Sequence, residues 1–92
     1  MSQWIETRDQ TLVDASAVEA VKPVSRTEKL ATRHEVLLMT ANHSYVFANG
    51  FSSRDDAVKV ARLLAGNIGT GPEGRKFTLD PVTNTINTRF ID

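Results

Sequence analysis

Few residues in this chain have catalytic or ligating potential. His34 and His43 are its two histidines, and it has no cysteine. Thiolate catalysis, disulfide staples and cysteine-based zinc sites are thereby excluded. A metal shared by the histidines needs them side by side. The chain instead places His34 at the start of an apolar run and His43 in the turn that ends it. Ser44 follows His43, but a nucleophile needs a base within hydrogen-bond reach and a pocket around the pair, and a turn supplies no pocket. Asp55, Asp56 and Glu19 read as a helix cap and a solvated face rather than as a general acid/base pair. Residues 42–44 match the glycosylation sequon; with no secretory signal in the sequence, no glycan is expected.

Two strings invite a phosphate-binding reading. Residues 69–74, GTGPEG, match the G-x-G-x-x-G pattern, and Arg75 and Lys76 follow one residue out of register with the other glycine-rich phosphate loop. Both motifs work only where a strand ends and a helix begins, since the helix N-terminus supplies free N–H groups and a favourable dipole. Here the string follows a helical pattern, contains Pro72 and precedes a strand-like run. We therefore expect a flexible connector and no bound cofactor. The second string is charged. Over residues 22–34 the cations Lys22, Arg26, Lys29 and Arg33 face one acid, Glu28. This reads as a solvated loop, or as a contact surface for an acidic partner or for phosphates, with Arg75, Lys76 and Arg89 as further cations.

Composition narrows the class. Ninety-two residues, 40% apolar and 24% charged, fit one small globular domain, excluding a disordered tail or a membrane protein. Eleven basic residues balance eleven acidic ones, so whole-molecule attraction to nucleic acid or anionic lipid is absent, as is the self-repulsion that opposes association. The first nine residues carry no signal-peptide pattern, and no apolar run approaches the roughly 18 residues of a membrane span, which makes the cytoplasm the expected location.

The elements that must position these groups centre on residues 34–66. Residues 36–40 and 45–48 read as two strands around an Asn42-His43 turn. That register pairs Thr40 with Tyr45, Leu38 with Phe47 and Val36 with Asn49 on one face, and Met39 with Val46 and Leu37 with Ala48 on the other. Both faces are apolar, so something beyond a single helix must cover the hairpin. The helix spans about 53–65. Ser52 and Ser53 are candidate caps, Asp55 and Asp56 favour its first turn, Ala57, Val60, Ala61 and Leu64 form its apolar face with Val58, Leu63 and Ala65 extending it, and Gly66 is the expected stop. Upstream, residues 3–7 and 11–13 suggest a hairpin around Arg8-Asp9-Gln10, with Trp4 as a core or edge anchor. Residues 14–19 could open a helical turn. Residues 17–24 could form an edge strand, with a bulge bringing Val18, Val21 and Val24 to one face and Pro23 marking the edge. Residues 25–33 read as a long loop. Residues 67–75 are a glycine-rich linker, and strands at 76–79 and 85–91 flank the turn formers Asp80, Pro81 and Asn84.

The order W-I-x-T-x-D…L-V, then V-x-x-V, then Y-V-F, then F-x-S-x-x-x-A, carried by Trp4, Ile5, Thr7, Asp9, Leu12, Val13, Val18, Val21, Tyr45, Val46, Phe47, Phe51, Ser53, Ala57 and Leu63, resembles small uncharacterised bacterial and phage single-domain proteins in which antiparallel strands precede one helix. It covers residues 4–65, and the chain departs from it after Phe77. The resemblance implies a fold type and no activity.

These readings predict an α+β domain over residues 1–92: an antiparallel sheet of about four to six strands, one amphipathic helix on one face, a main body of 1–66, a linker of 67–75 and a C-terminal strand arm of 76–92. The expected function is a non-enzymatic protein-protein interaction module that binds or inhibits a macromolecular partner and self-associates as a homodimer. The alternative is a nucleic-acid-associated protein using the basic segment. Lys22, Arg26, Lys29 and Arg33 are the candidate partner contacts; Leu37, Met39, Val46, Phe77, Leu79, Ile86 and Phe90 are the candidate dimer or tail contacts.

Overall fold

The computed structural model describes residues 3–69 and 74–90. In chain order these form β1 (Trp4–Glu6), β2 (Leu12–Asp14), a short 3-10 turn (Ala15–Ala17), β3 (Ala20–Glu28), β4 (Ala31–Met39), β5 (Ser44–Phe51), α1 (Arg54–Asn67), β6 (Arg75–Asp80) and β7 (Thr85–Phe90). The class is α+β with mainly antiparallel pairing, as the alternating patterns predict. The strands divide between a four-stranded sheet, ordered β2-β1-β6-β7, and a three-stranded sheet, ordered β3-β4-β5. Among the described residues one pairing is parallel, joining β1 to β6 with Ile5 opposite Phe77.

The core lies between the sheets and the helix. Ile5 and Phe77 from the first sheet, Val36 and Leu38 from the second, and Val60 and Leu64 from α1 are the largest fully buried side chains. The C-terminal hairpin is thus a wall of the core. Its parallel seam to β1 joins strands some seventy residues apart, which no local pattern announces.

The helix follows its capping chemistry. Ser53 is the N-cap, and its Oγ accepts the Asp56 N–H at 3.2 Å. Ala57, Val60, Ala61 and Leu64 are buried, whereas Leu63 and Ala65 face solvent. Gly66 does not end the helix. The chain continues through Asn67, whose side chain donates to the Leu63 carbonyl at 2.7 Å, to an extended cap at Ile68. Ile68 packs against the core, and Gly69 takes the left-handed conformation instead (φ +81°). Tertiary packing of Ile68 outweighs the small helical penalty of an exposed glycine. Residues 70–73, which hold most of the glycine string, and residues 91–92, which include the end of the last expected strand, lie outside the described residues.

The central hairpin forms with its turn moved. Thr40 N–H donates to the His43 carbonyl at 2.9 Å, so the chain reverses at Ala41-Asn42, one residue earlier than the sequence suggests. Leu38 therefore faces Tyr45 and Leu37 faces Val46, in place of Phe47 and Ala48. Because the register moves by two, the faces keep their membership near the turn, whereas Ala48, expected on the Leu37 face, joins the core. Register shifts follow at Val36 and His34, so that Val36 lies opposite Ala48 and His34 opposite Phe51. Phe47 and Ala48 are neighbours in sequence and both buried, which strict alternation forbids and a bulge allows.

The largest correction concerns residues 25–33. They form no loop. β3 and β4 pair without interruption from Ala20–Met39 to Glu28–Ala31, closed by the two-residue turn Lys29-Leu30. Residues 25–33 are all exposed, a ribbon whose β4 strand runs on past the last β5 pairing at His34. Water on both faces removes the apolar alternation by which a strand is read. The turn also lacks glycine: Lys29 itself adopts φ +53°. Nor does β3 contain the expected bulge. Val21 packs on the core, Val24 points to the opposite face, and Val18 reaches the core from the segment before the strand.

Candidate interaction surface

Alternation in a regular strand decides which side chains share a face. On the core side of the three-stranded sheet lie Val21 of β3, Val36 and Leu38 of β4 and Tyr45 of β5. On the outer side lie Lys22, Val24 and Arg26 of β3, Arg33, Glu35, Leu37 and Met39 of β4, and Val46 of β5. Leu37, although buried among its sheet neighbours, belongs to the outer side and lies outside the core cluster.

The two candidate sets drawn from the sequence are therefore rearranged. Lys22, Arg26 and Arg33 join Leu37, Met39 and Val46 on one outer surface. Phe77 is fully buried in the core, with Leu79 and Ile86 packed against it, so they do not cover that surface. Phe90 stands apart at the end of β7, 64% exposed, with the Arg75 guanidinium 5.6 Å from its ring centroid. Lys29 occupies the ribbon tip beside Leu30, which is wholly exposed.

The electrostatics of the outer face are uneven. Arg26 lies directly opposite Arg33, an arrangement that like charges disfavour. Glu35 relieves it: one carboxylate oxygen lies 3.3 Å from Arg26 Nε, and Glu35 is almost buried among these neighbours. Because Arg26 is largely in water, the pair adds less than about 1 kcal/mol. Its effect is to order one guanidinium and leave Arg33 and Lys22 facing solvent. Across the molecule, residues 22–34 carry four cations and one acid, leaving seven cations and ten acids for the rest. The chain is neutral in sum and polarised in space.

Glu35 escaped the sequence reading, and Val24 was expected on the face of Val18 and Val21 rather than on the outer one. With residues 25–33 taken as a loop, nothing paired the two. The alternation Val24–Arg26 against Arg33–Glu35–Leu37 becomes informative only with the β3–β4 register known.

The groups with chemical potential do not converge. His34 Nδ1 lies 2.8 Å from Ser25 Oγ on an exposed part of the ribbon, and His43 packs its ring 6.0 Å from Tyr45 near the other end of β4. Among the described residues, no three His, Asp or Glu side chains gather to hold a metal. A depression of about 410 Å³ lies between the β1–β2 turn, β5 and β6, lined in part by Glu6, Arg8, Gln10, Asn49 and Thr78. Three of these residues, Glu6, Arg8 and Asn49, are already engaged in the fold. Arg8 Nη1 donates to Asn49 Oδ1 at 2.6 Å, Arg8 N–H donates to the Val46 carbonyl at 3.2 Å, and Glu6 pairs with Lys76 at 3.5 Å. In the same turn the Thr7 and Thr11 hydrogen bonds hold the Asp9 carboxyl below its ordinary value of 3.8, Thr7 contributing most. Among the described residues, no helix is long and apolar enough to cross a membrane. Comparison with protein-family models, with curated proteins and with solved structures finds no match, so the resemblance drawn from the sequence rests on the sequence alone.

Proposed function

We propose that this protein is a non-enzymatic interaction module that docks an acidic protein surface against the outer face of its three-stranded sheet. One observation carries the reading: uninterrupted pairing of β3 with β4 gathers an apolar strip (Val24, Leu37, Met39, with Val46 from β5) and a cationic border (Lys22, Arg26, Arg33) on one face. An apolar centre with a charged border is the anatomy of a protein interface. The polarised charge steers an acidic partner to this face and away from the acidic remainder. Contact between two copies through this face would set the same cations against each other, which favours a different, acidic partner here.

The test is capture from native lysate with the wild-type chain, with Lys22→Glu/Arg33→Glu, and with Arg54→Glu/Lys59→Glu, which reverses exposed charges on the helix. A partner bearing an acidic patch, held by the wild type and the helix variant and lost by the outer-face variant, is the expected result. A partner held equally by all three, or none held by any, ends the reading. Captured material that is nucleic acid, released steeply by salt, transfers the surface to the alternative function.

A further inference from the structure

The two sheets present four outer strand edges, and three carry a device that discourages strand addition. β2 is only three residues long. β3 has Pro23 at its centre. Counting back from the hydrogen-bonded pair Glu28–Ala31 that closes the two-residue turn, Pro23 falls where an N–H would point away from β4, so the open edge lacks that donor. β5 is broken by two register shifts, has Gly50 at φ +77°, and gives its Val46 carbonyl to Arg8.

β7 has no such device. It pairs with β6 in an unbroken six-residue register, contains neither proline nor glycine, and carries one charge, Arg89. It is the edge strand of its sheet, and residues 87–90 are exposed. Its core-side face ends in Phe90, 64% exposed and held in place by Arg75 directly opposite it on β6.

We propose that β7 is a self-association edge, and that a second copy of this chain adds its own β7 antiparallel across a two-fold axis normal to the sheet. That symmetry keeps the core-side faces of the two copies together, so only registers joining residues of equal parity are allowed. The register centred on Thr88 is self-complementary. It places Thr88 opposite Thr88, Ile86 opposite Phe90, and Asn87 opposite Arg89. Thr–Thr and aromatic–β-branched pairs are the favourable cross-strand combinations, and no like charges meet. The alternative centred on Asn87 leaves Phe90 without an opposite number in the described strand. The zero formal charge of the chain puts no net repulsion in the way. This edge is separate from the outer face of the three-stranded sheet and does not depend on the function proposed for that face.

The cysteine-free chain permits a direct test. Directly opposite residues in an antiparallel pair have Cα atoms about 4.5–5.5 Å apart, within the range a disulfide spans. Thr88→Cys should therefore give a covalent dimer under mild oxidation. Thr85→Cys, on the same strand, should not, since in this register its copies lie about 20 Å apart. Light scattering over a concentration series should show the wild type passing from monomer to twice its 10.1 kDa. Thr88→Lys, which sets two like charges on the axis, should raise the dissociation constant on the order of tenfold. A wild type that stays monomeric at every concentration, or a dimer in which Thr88→Cys cross-links no faster than Thr85→Cys, overturns the proposal. The cysteine pair keeps the test decisive if Thr88→Lys fails to fold.

Discussion

Replacing Phe77 by alanine tests whether the C-terminal hairpin is a wall of the core or an appendage. Phe77 is fully buried, sits opposite Ile5 across the parallel seam, and belongs to the core cluster with Leu38 and Leu64. A buried phenylalanine removes roughly 150–200 Å² from water, worth about 4–5 kcal/mol at about 25 cal/mol per Å². Alanine retains about 0.8 kcal/mol of that through its methyl group, and incomplete collapse of the cavity adds a further cost. The expected loss is about 3–5 kcal/mol, against a total of roughly 5–14 kcal/mol for a chain of this length. Urea unfolding followed by far-UV circular dichroism measures it, with the midpoint falling sharply and the slope unchanged. Phe90→Ala is the internal control: at 64% exposure, in the monomer, it should cost about 0.5 kcal/mol or less. A Phe77→Ala loss below about 1 kcal/mol, or equal losses for the two phenylalanines, would refute the argument by showing that the hairpin does not seal the core.

Two further perturbations probe the turns. Lys29 holds φ +53° at the first position of a two-residue turn, which costs a side-chain-bearing residue about 1–2 kcal/mol, whereas glycine returns about 0.5–1 kcal/mol through its freer unfolded chain. Lys29→Gly should therefore stabilise by about 0.5–1 kcal/mol and raise the melting temperature by about 2–6 °C in a calorimetric scan; no rise would count against the ribbon. The Asp9 carboxyl is depressed by hydrogen bonds from Thr7 and Thr11. A depressed carboxyl contributes stability that is fully present above its ordinary value of 3.8 and is lost as pH falls through its lower folded value. The β1–β2 turn should thus loosen only in strong acid, visible as shifts of the Thr7 and Thr11 resonances in an NMR pH titration, and Asp9→Asn should abolish that dependence.

The parts of this protein that local chemistry specifies were legible in the sequence. Ser53 and Asp56 cap the helix, and the apolar spacing from Ala57 to Leu64 buries one of its faces; both act within a few residues. The same holds for the N-terminal turn at Arg8-Asp9-Gln10 and for the faces of the β4–β5 hairpin near its turn, which a register error of two leaves intact; the bulge that carries Ala48 to the core side was not legible. What required the tertiary structure was whatever depends on partners distant in the chain. The β3–β4 ribbon is exposed on both sides and turns without glycine, so its composition imitates a loop; only its pairing assigns Lys22, Arg26 and Arg33 to the face of Leu37 and Met39. Phe77, by its pattern alone, could have covered either side of the central hairpin. The parallel seam to Ile5 turns it into the core and leaves the outer face open. Sequence determined which residues need burial and where the chain can turn, because those are local free energies. The tertiary structure decided which apolar face of the hairpin is sealed in the core and which lies outside it, because that choice is settled by contacts across some seventy residues of chain.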